Sequence, residues 1–177
     1  MGPRVDLIDF LTEMIDLRSF SNLWYWIGLA VLWSSASHWV LGVPFDLIAR
    51  AGRKGGQVAI DLELAVGVQV RRALHIAESA GNFLIAFVFF VLTVLVLLGF
   101  VYGVEFAQAV FLMMCPMSLV GAMNLRTARQ IVGLDLSGDA LRKLLLRTRL
   151  KIQMLGSISI FLTACWGMYQ NLLTGAL

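Results

Sequence analysis

Residues 83–102 read FLIAFVFFVLTVLVLLGFVY, and before the terminal Tyr102 the only polar side chain among them is Thr93. Twenty consecutive apolar residues rise about 30 Å as a helix, the thickness of a bilayer's hydrocarbon layer. A helix apolar on every side suits lipid rather than a half-wet protein surface. This run therefore reads as a transmembrane helix that faces lipid over much of its circumference. Tyr102-Gly103-Val104-Glu105 leads at once into a second apolar run, 104–124. So short a link forces an antiparallel hairpin, and Gly103 suits the helix stop. Two more runs of similar length lie at 22–41 and 154–173. The expected fold is an all-α membrane protein with four transmembrane helices in a bundle, at 22–41, 83–102, 104–124 and 154–173.

Composition agrees. The chain is 59% hydrophobic and 14% charged, with a mean hydropathy of +0.83. Soluble domains carry roughly 45–50% apolar and about 25% charged residues. A length of 177 residues leaves room for one membrane domain, 1–177, and no separate soluble one.

Charge orients the runs. Twelve of the fourteen Lys and Arg residues fall in the segments 43–81 and 125–153, and only Arg4 and Arg18 lie elsewhere. Basic loops stay cytoplasmic, so both basic segments are expected inside a bacterial inner membrane, with both termini periplasmic. Tyr25, Tyr102, Tyr169, Trp24, Trp26 and Trp166 map to the predicted outer interface, the depth that amphipathic rings favour. The pI near 9.2 then reads as attraction to anionic lipid headgroups, carried by Arg71, Arg72, Arg142, Lys143, Arg147 and Arg149. No nucleic-acid partner is expected, since that role needs a basic face on a folded scaffold.

The remaining segments read as helical too. Residues 3–19 are expected to form an amphipathic surface helix, with Asp6, Asp9, Glu13 and Asp16 within an arc of about 80°. An acidic face is a poor lipid ligand, which leaves a solvated face or one that docks a basic partner. These acids also argue against a secretory signal. Pro44 is expected to end the first helix, and Gly52-Arg53-Lys54-Gly55-Gly56 to break the chain before helix resumes near Asp61. A second break spans Gly133 to Gly138. Beyond it Leu141, Leu144, Leu145, Thr148, Ile152 and Leu155 form one stripe on a helix that feeds the last run. Asp61-Leu62 and Asp135-Leu136, each before an outward-going run, hint at a duplicated hairpin.

Chemistry is sparse. Ala30, Ser34 and Ser37 or His38 share a helical stripe, where small side chains let another helix approach. A serine there can also bond its own i−4 carbonyl. His38 is an ionisable group inside an apolar run, which makes it a candidate for a structural hydrogen bond, an interfacial contact, or proton or ligand handling. Haem ligation would ask for a second histidine at equal depth, and His75 belongs to a basic segment. His75 and Glu78 read as an i,i+3 ion pair. Pro116 is expected to kink the third run, and Glu105 and Gln108 stand at its outer mouth without further acids to make an ion path. Cys115 and Cys165 fall mid-run and read as reduced packing residues. No metalloprotease, phosphate-loop or C-x-x-C motif occurs. Catalytic residues, cofactors and metals are therefore all expected to be none.

RSFSNLWYWIGLAVLWSSASHWVLGVPFDLIARAGRKGG, with EFAQAVF and PMSLVGAMNLRTARQ, resembles a small family of bacterial integral membrane proteins. That family carries the transferred name component of the SufBCD complex, and the resemblance spans about residues 16–130. It implies association with an iron–sulfur assembly machine, although the two cysteines could not hold a cluster. The leading expectation is a non-catalytic accessory or assembly subunit packed against a larger inner-membrane complex. A small oligomeric transporter or channel with its polar stripe on the first run is the alternative, and a membrane enzyme acting on lipid or quinone the third.

Overall fold

The structure, a computed structural model, describes Phe20 and residues 22–173. The expected helix over 3–19, with Asp6, Asp9, Glu13 and Asp16, lies outside the described residues. In order come α1 (Leu23–His38), β1 (Trp39–Val40), β2 (Val43–Pro44), α2 (Phe45–Lys54), α3 (Gly56–Val96, continued by a π-helical turn Leu97–Val101), α4 (Glu105–Gly133) and α5 (Gly138–Leu173). Among the described residues three helices are long and apolar enough to cross a membrane: Gly56–Val101, Glu105–Gly133 and Gly138–Leu172. The chain is thus a helical membrane protein.

These helices are longer than a bilayer needs. The 46 residues of Gly56–Val101 rise about 70 Å, more than twice the hydrocarbon thickness. The surplus lies in the basic segments, where it builds the larger of two packed cores. Leu62, Val66 and Val70 of α3, Ile48 and Ala51 of α2, Ala128 and Ile131 of α4, and Leu141 and Leu145 of α5 are buried together there. The stripe expected on α5 forms: Leu141, Leu145, Thr148 and Ile152 are buried, and Leu144 and Leu155 half-buried. The apolar half of α3, by contrast, exposes Phe83, Phe87, Phe89 and Phe90.

Two local readings are corrected. α1 stops at His38, not Leu41, because Trp39-Val40 and Val43-Pro44 pair as a two-residue antiparallel hairpin. Its turn needs left-handed backbone at both central residues, and Leu41 and Gly42 have φ of 54° and 73°. A leucine in that region costs roughly 1–2 kcal/mol. Its side chain is buried in the core, which contributes about 1.5–3 kcal/mol in return. The second correction concerns Gly52-Arg53-Lys54-Gly55-Gly56. Helix runs through Gly52 to Lys54 and restarts at Gly56, five residues before Asp61, so the interruption is Gly55 alone. Arg142 of α5 lies against Gly52, where a β-carbon would sit 2.8 Å from its Nη1. Gly52 thus lies within a helix, under the end of the Arg142 side chain, and does not break the chain.

α4 and α5 run antiparallel and are tied at two depths. Near the basic end the Thr127 and Thr148 hydroxyls meet at 3.0 Å, both side chains buried. At the far end Gln108 Oε1 accepts from Trp166 Nε1 at 2.9 Å and from Gln170 Nε2. The ties are about 27 Å apart along the helices, close to the hydrocarbon thickness. Pro116 sits buried within an unbroken α4.

Candidate functional site

α1 has two faces, and each answers a different question. Asn22 starts the helix by accepting the Trp24 amide at 3.0 Å. Leu29 and Trp33 are buried, and Trp26 and Ala36 join them against Val120 of α4 and Ile152 of α5. Spacings of three and four residues put this set on one face.

That face meets a seam of small residues on α5. Gly156, Ser159, Thr163 and Gly167 are all buried, and each stands three or four residues from the next. A β-carbon added at Gly156 would lie 2.7 Å from Trp33 Cε3, and one at Gly167 would lie 3.3 Å from Phe20. Trp33 of α1 and Phe20, just before that helix, therefore seat on small residues of α5. Small-x-x-x-small spacing lets helices approach in lipid, where no hydrophobic effect drives them together. The stripe expected on α1, at Ala30, Ser34 and Ser37 or His38, takes no part in this contact; the small residues that let the two helices approach belong to α5.

Ala30, Ser34 and His38 point the other way. All three are exposed, as are Ile27, Gly28, Val31 and Ser35, while Ser37 is half-buried. None of Ser34, Ser35 and His38 has a side-chain hydrogen bond among the described residues; His38 has only an edge-on ring contact with Trp39. The outward face of α1 is thus apolar toward its start and polar toward its end.

Contacts at both ends hold α1 at this angle. Glu105 Oε1 accepts the Phe20 amide at 2.8 Å, Trp26 Nε1 donates to Phe20 O at 3.0 Å, and Tyr25 Oη donates to Ala109 O at 3.3 Å. At the basic end Arg149 Nε donates to Ser37 O at 3.2 Å, and its guanidinium stacks 3.4 Å from the Phe45 ring centroid. Arg149 was expected at lipid headgroups, but here it joins α1, α2 and α5. Arg149→Ala is expected to cost about 1.5–3 kcal/mol in a chemical unfolding series. Arg149→Lys should recover little of it, since an ammonium cannot both stack and donate in this geometry.

The other cations divide. Arg142 pairs with Asp139 at 3.2 Å, whereas Arg71, Arg72, Lys143 and Arg147 are exposed. That is the sole ion pair among the described residues, so the one expected between His75 and Glu78 does not form. Both side chains stand in the open, where such a pair gains little. Arg126, Arg129 and Lys151 were not singled out from sequence. The structure sets them at grooves beside α4, and the signal was their position within two turns of the apolar runs. Asn124 lines two adjoining clefts with Arg72 and Arg129, and His38 lines neither. Asn124 Oδ1 and Trp33 Nε1 are buried without hydrogen-bond partners among the described residues. Among the described residues no group of three His, Cys, Asp or Glu side chains could hold a metal ion.

No protein-family model matches the chain, and neither does a curated protein or a solved structure.

Proposed function

We propose that the chain is a non-catalytic subunit of a larger membrane assembly, docked through the outward face of α1. One observation carries this reading: Ser34, Ser35 and His38 face away from the bundle with no side-chain hydrogen bond among the described residues, while the opposite face of α1 packs against α4 and α5. Polar groups inside a bilayer seek partners, and a neighbouring helix supplies them.

The docking reading requires α1 to cross the membrane as a fourth helix. Its 16 residues rise only about 24 Å. Its contacts support the crossing nonetheless. Phe20 meets Gly167, Trp33 meets Gly156, and Ser37 meets Arg149. Along α5 that is 18 residues, or about 27 Å, so α1 with Phe20 before it runs beside about half of α5's 36 residues. With four crossings the charge distribution orients the protein in a bacterial inner membrane, basic segments cytoplasmic and both ends periplasmic. The resemblance to the family named for the SufBCD complex makes a cytosolic iron–sulfur scaffold one partner to seek, against the folded cap of the basic end.

A photoreactive amino acid at Ser34 in native membranes should yield adducts with a second protein. The same group at Phe89 of α3 should yield lipid adducts alone. Lipid adducts at both positions would refute docking through α1. Adducts between copies of this chain would favour the oligomeric transporter, whose path the Ser34–His38 stripe would line.

A further inference from the structure

Beyond the face of α1, the groove between α4 and α5 has the form of a site for a phospholipid. It encloses about 660 Å³, within the range of small-ligand pockets, and is open along one side. Arg126, Gln130 and Lys151 line one end, with the Thr127–Thr148 pair as its floor. Leu119, Met123, Met154, Leu155 and Ile158 line the other.

Register makes the two walls match. From Arg126 to Leu119 on α4 is seven residues, and from Lys151 to Ile158 on α5 is also seven. Each wall therefore runs about 10 Å from a cation into the apolar zone. No acidic residue lines the groove, and neither cation makes an ion pair or side-chain hydrogen bond among the described residues. The floor cannot compensate an anion by itself. Thr127 Oγ1 donates to Met123 O at 2.9 Å, so Thr148 must donate to Thr127, and both protons are spent. Recognition of an anion falls to Arg126 and Lys151.

We infer that this groove binds an anionic phospholipid, its phosphate between Arg126 and Lys151 and an acyl chain along Leu119, Met123, Met154, Leu155 and Ile158. The inference rests on α4 and α5 crossing the membrane and is independent of the partner on α1. Charge complementarity selects the occupant: paired cations at the boundary plane attract anionic headgroups, and the apolar walls continue to the depth of the chains. A free phosphate would use only half of the site.

Native mass spectrometry of the full chain, released from mild detergent with added phosphatidylglycerol or phosphatidylcholine of equal chain length, tests it. Phosphatidylglycerol should be retained at least about tenfold more strongly, as two cations near a headgroup imply. Arg126→Gln with Lys151→Gln should abolish that preference. Arg53→Gln with Lys54→Gln, an equal loss of charge at exposed positions on α2, should leave it intact. Ala122→Trp fills the exposed middle of the groove, one helical turn from Arg126, while keeping both cations, and it should also release the lipid while the melting temperature stays unchanged. Equal retention of the two lipids would overturn the inference. So would equal loss in both charge pairs, continued binding in Ala122→Trp, or full displacement by millimolar inorganic phosphate.

Discussion

Gly156→Ala is expected to destabilise the protein by about 1–3 kcal/mol, the cost of forcing one extra carbon into a filled contact. The new β-carbon would lie 2.7 Å from Trp33 Cε3 and 3.1 Å from Cδ2. Neither neighbour can give way: the indole is rigid and 4% exposed, and Gly156 lies on the backbone of a continuous helix. α1 must therefore shift as a unit. The change is best followed by unfolding in mixed micelles of mild detergent and dodecyl sulfate. Trp33→Leu should also destabilise, by cavity formation. The two together should cost less than their sum, because the smaller side chain leaves room for the added methyl; contacting residues couple by about 0.5–3 kcal/mol. Strict additivity would mean that Trp33 does not sit on Gly156. A bulky change at Gly28, which has open space around it, should be tolerated.

Gln108→Leu is expected to cost about 2–4 kcal/mol, as one buried and two half-buried polar groups lose this partner at once. Gln108 is 4% exposed and joins three helices. Its Nε2 donates to Gly99 O at 2.7 Å, and its Oε1 accepts from Trp166 Nε1 and from Gln170. The π-helical turn Leu97–Val101 makes this possible. At Gly99 a β-carbon would lie 3.0 Å from the Gln108 amide nitrogen, so only glycine lets α4 begin this close to α3. Leucine keeps the volume but can neither donate to the Gly99 carbonyl nor accept the indole proton. The Trp166 ring, 5.4 Å from that of Phe100, should become more mobile, and its fluorescence should report the change. An unfolding midpoint equal to that of the unaltered protein would contradict the role given to Gln108.

The elements legible in the sequence are those set by local pattern. The run 83–102, the link at Gly103 and the α5 stripe from Leu141 to Leu155 depend on periodicity and turn chemistry within one segment. The pairing of α1 with α5 depends on a match between distant segments, and the sequence alone pointed to a small-residue stripe on α1 only. Ala30-Ser34-His38 looked suited to close approach. Gly156-Ser159-Thr163-Gly167 won because Leu29 and Trp33 project from the opposite side of α1 and fill it. The hairpin at Trp39–Pro44 was hidden for another reason. Leu41 gives no signal for left-handed backbone, and its burial in the basic-end core is what holds it there. Gln108 was placed at an outer mouth, but its role as a tie could not be read without knowing where Gly99 and Trp166 would fall. Arg149 likewise looked like a surface cation until Ser37 and Phe45 were brought beneath it.

The central claim is that α1 crosses the membrane beside α5, so that four helices span it. Single cysteines, in a background with Cys115 and Cys165 replaced, test this through a membrane-impermeant maleimide on sealed vesicles of both orientations. Leu23 and Tyr102, at the far ends of α1 and α3, should label from the same side, and Lys54 and Ser137 only from the other. Labelling of Leu23 together with Lys54, on the side away from Tyr102, would leave three crossings and contradict the account.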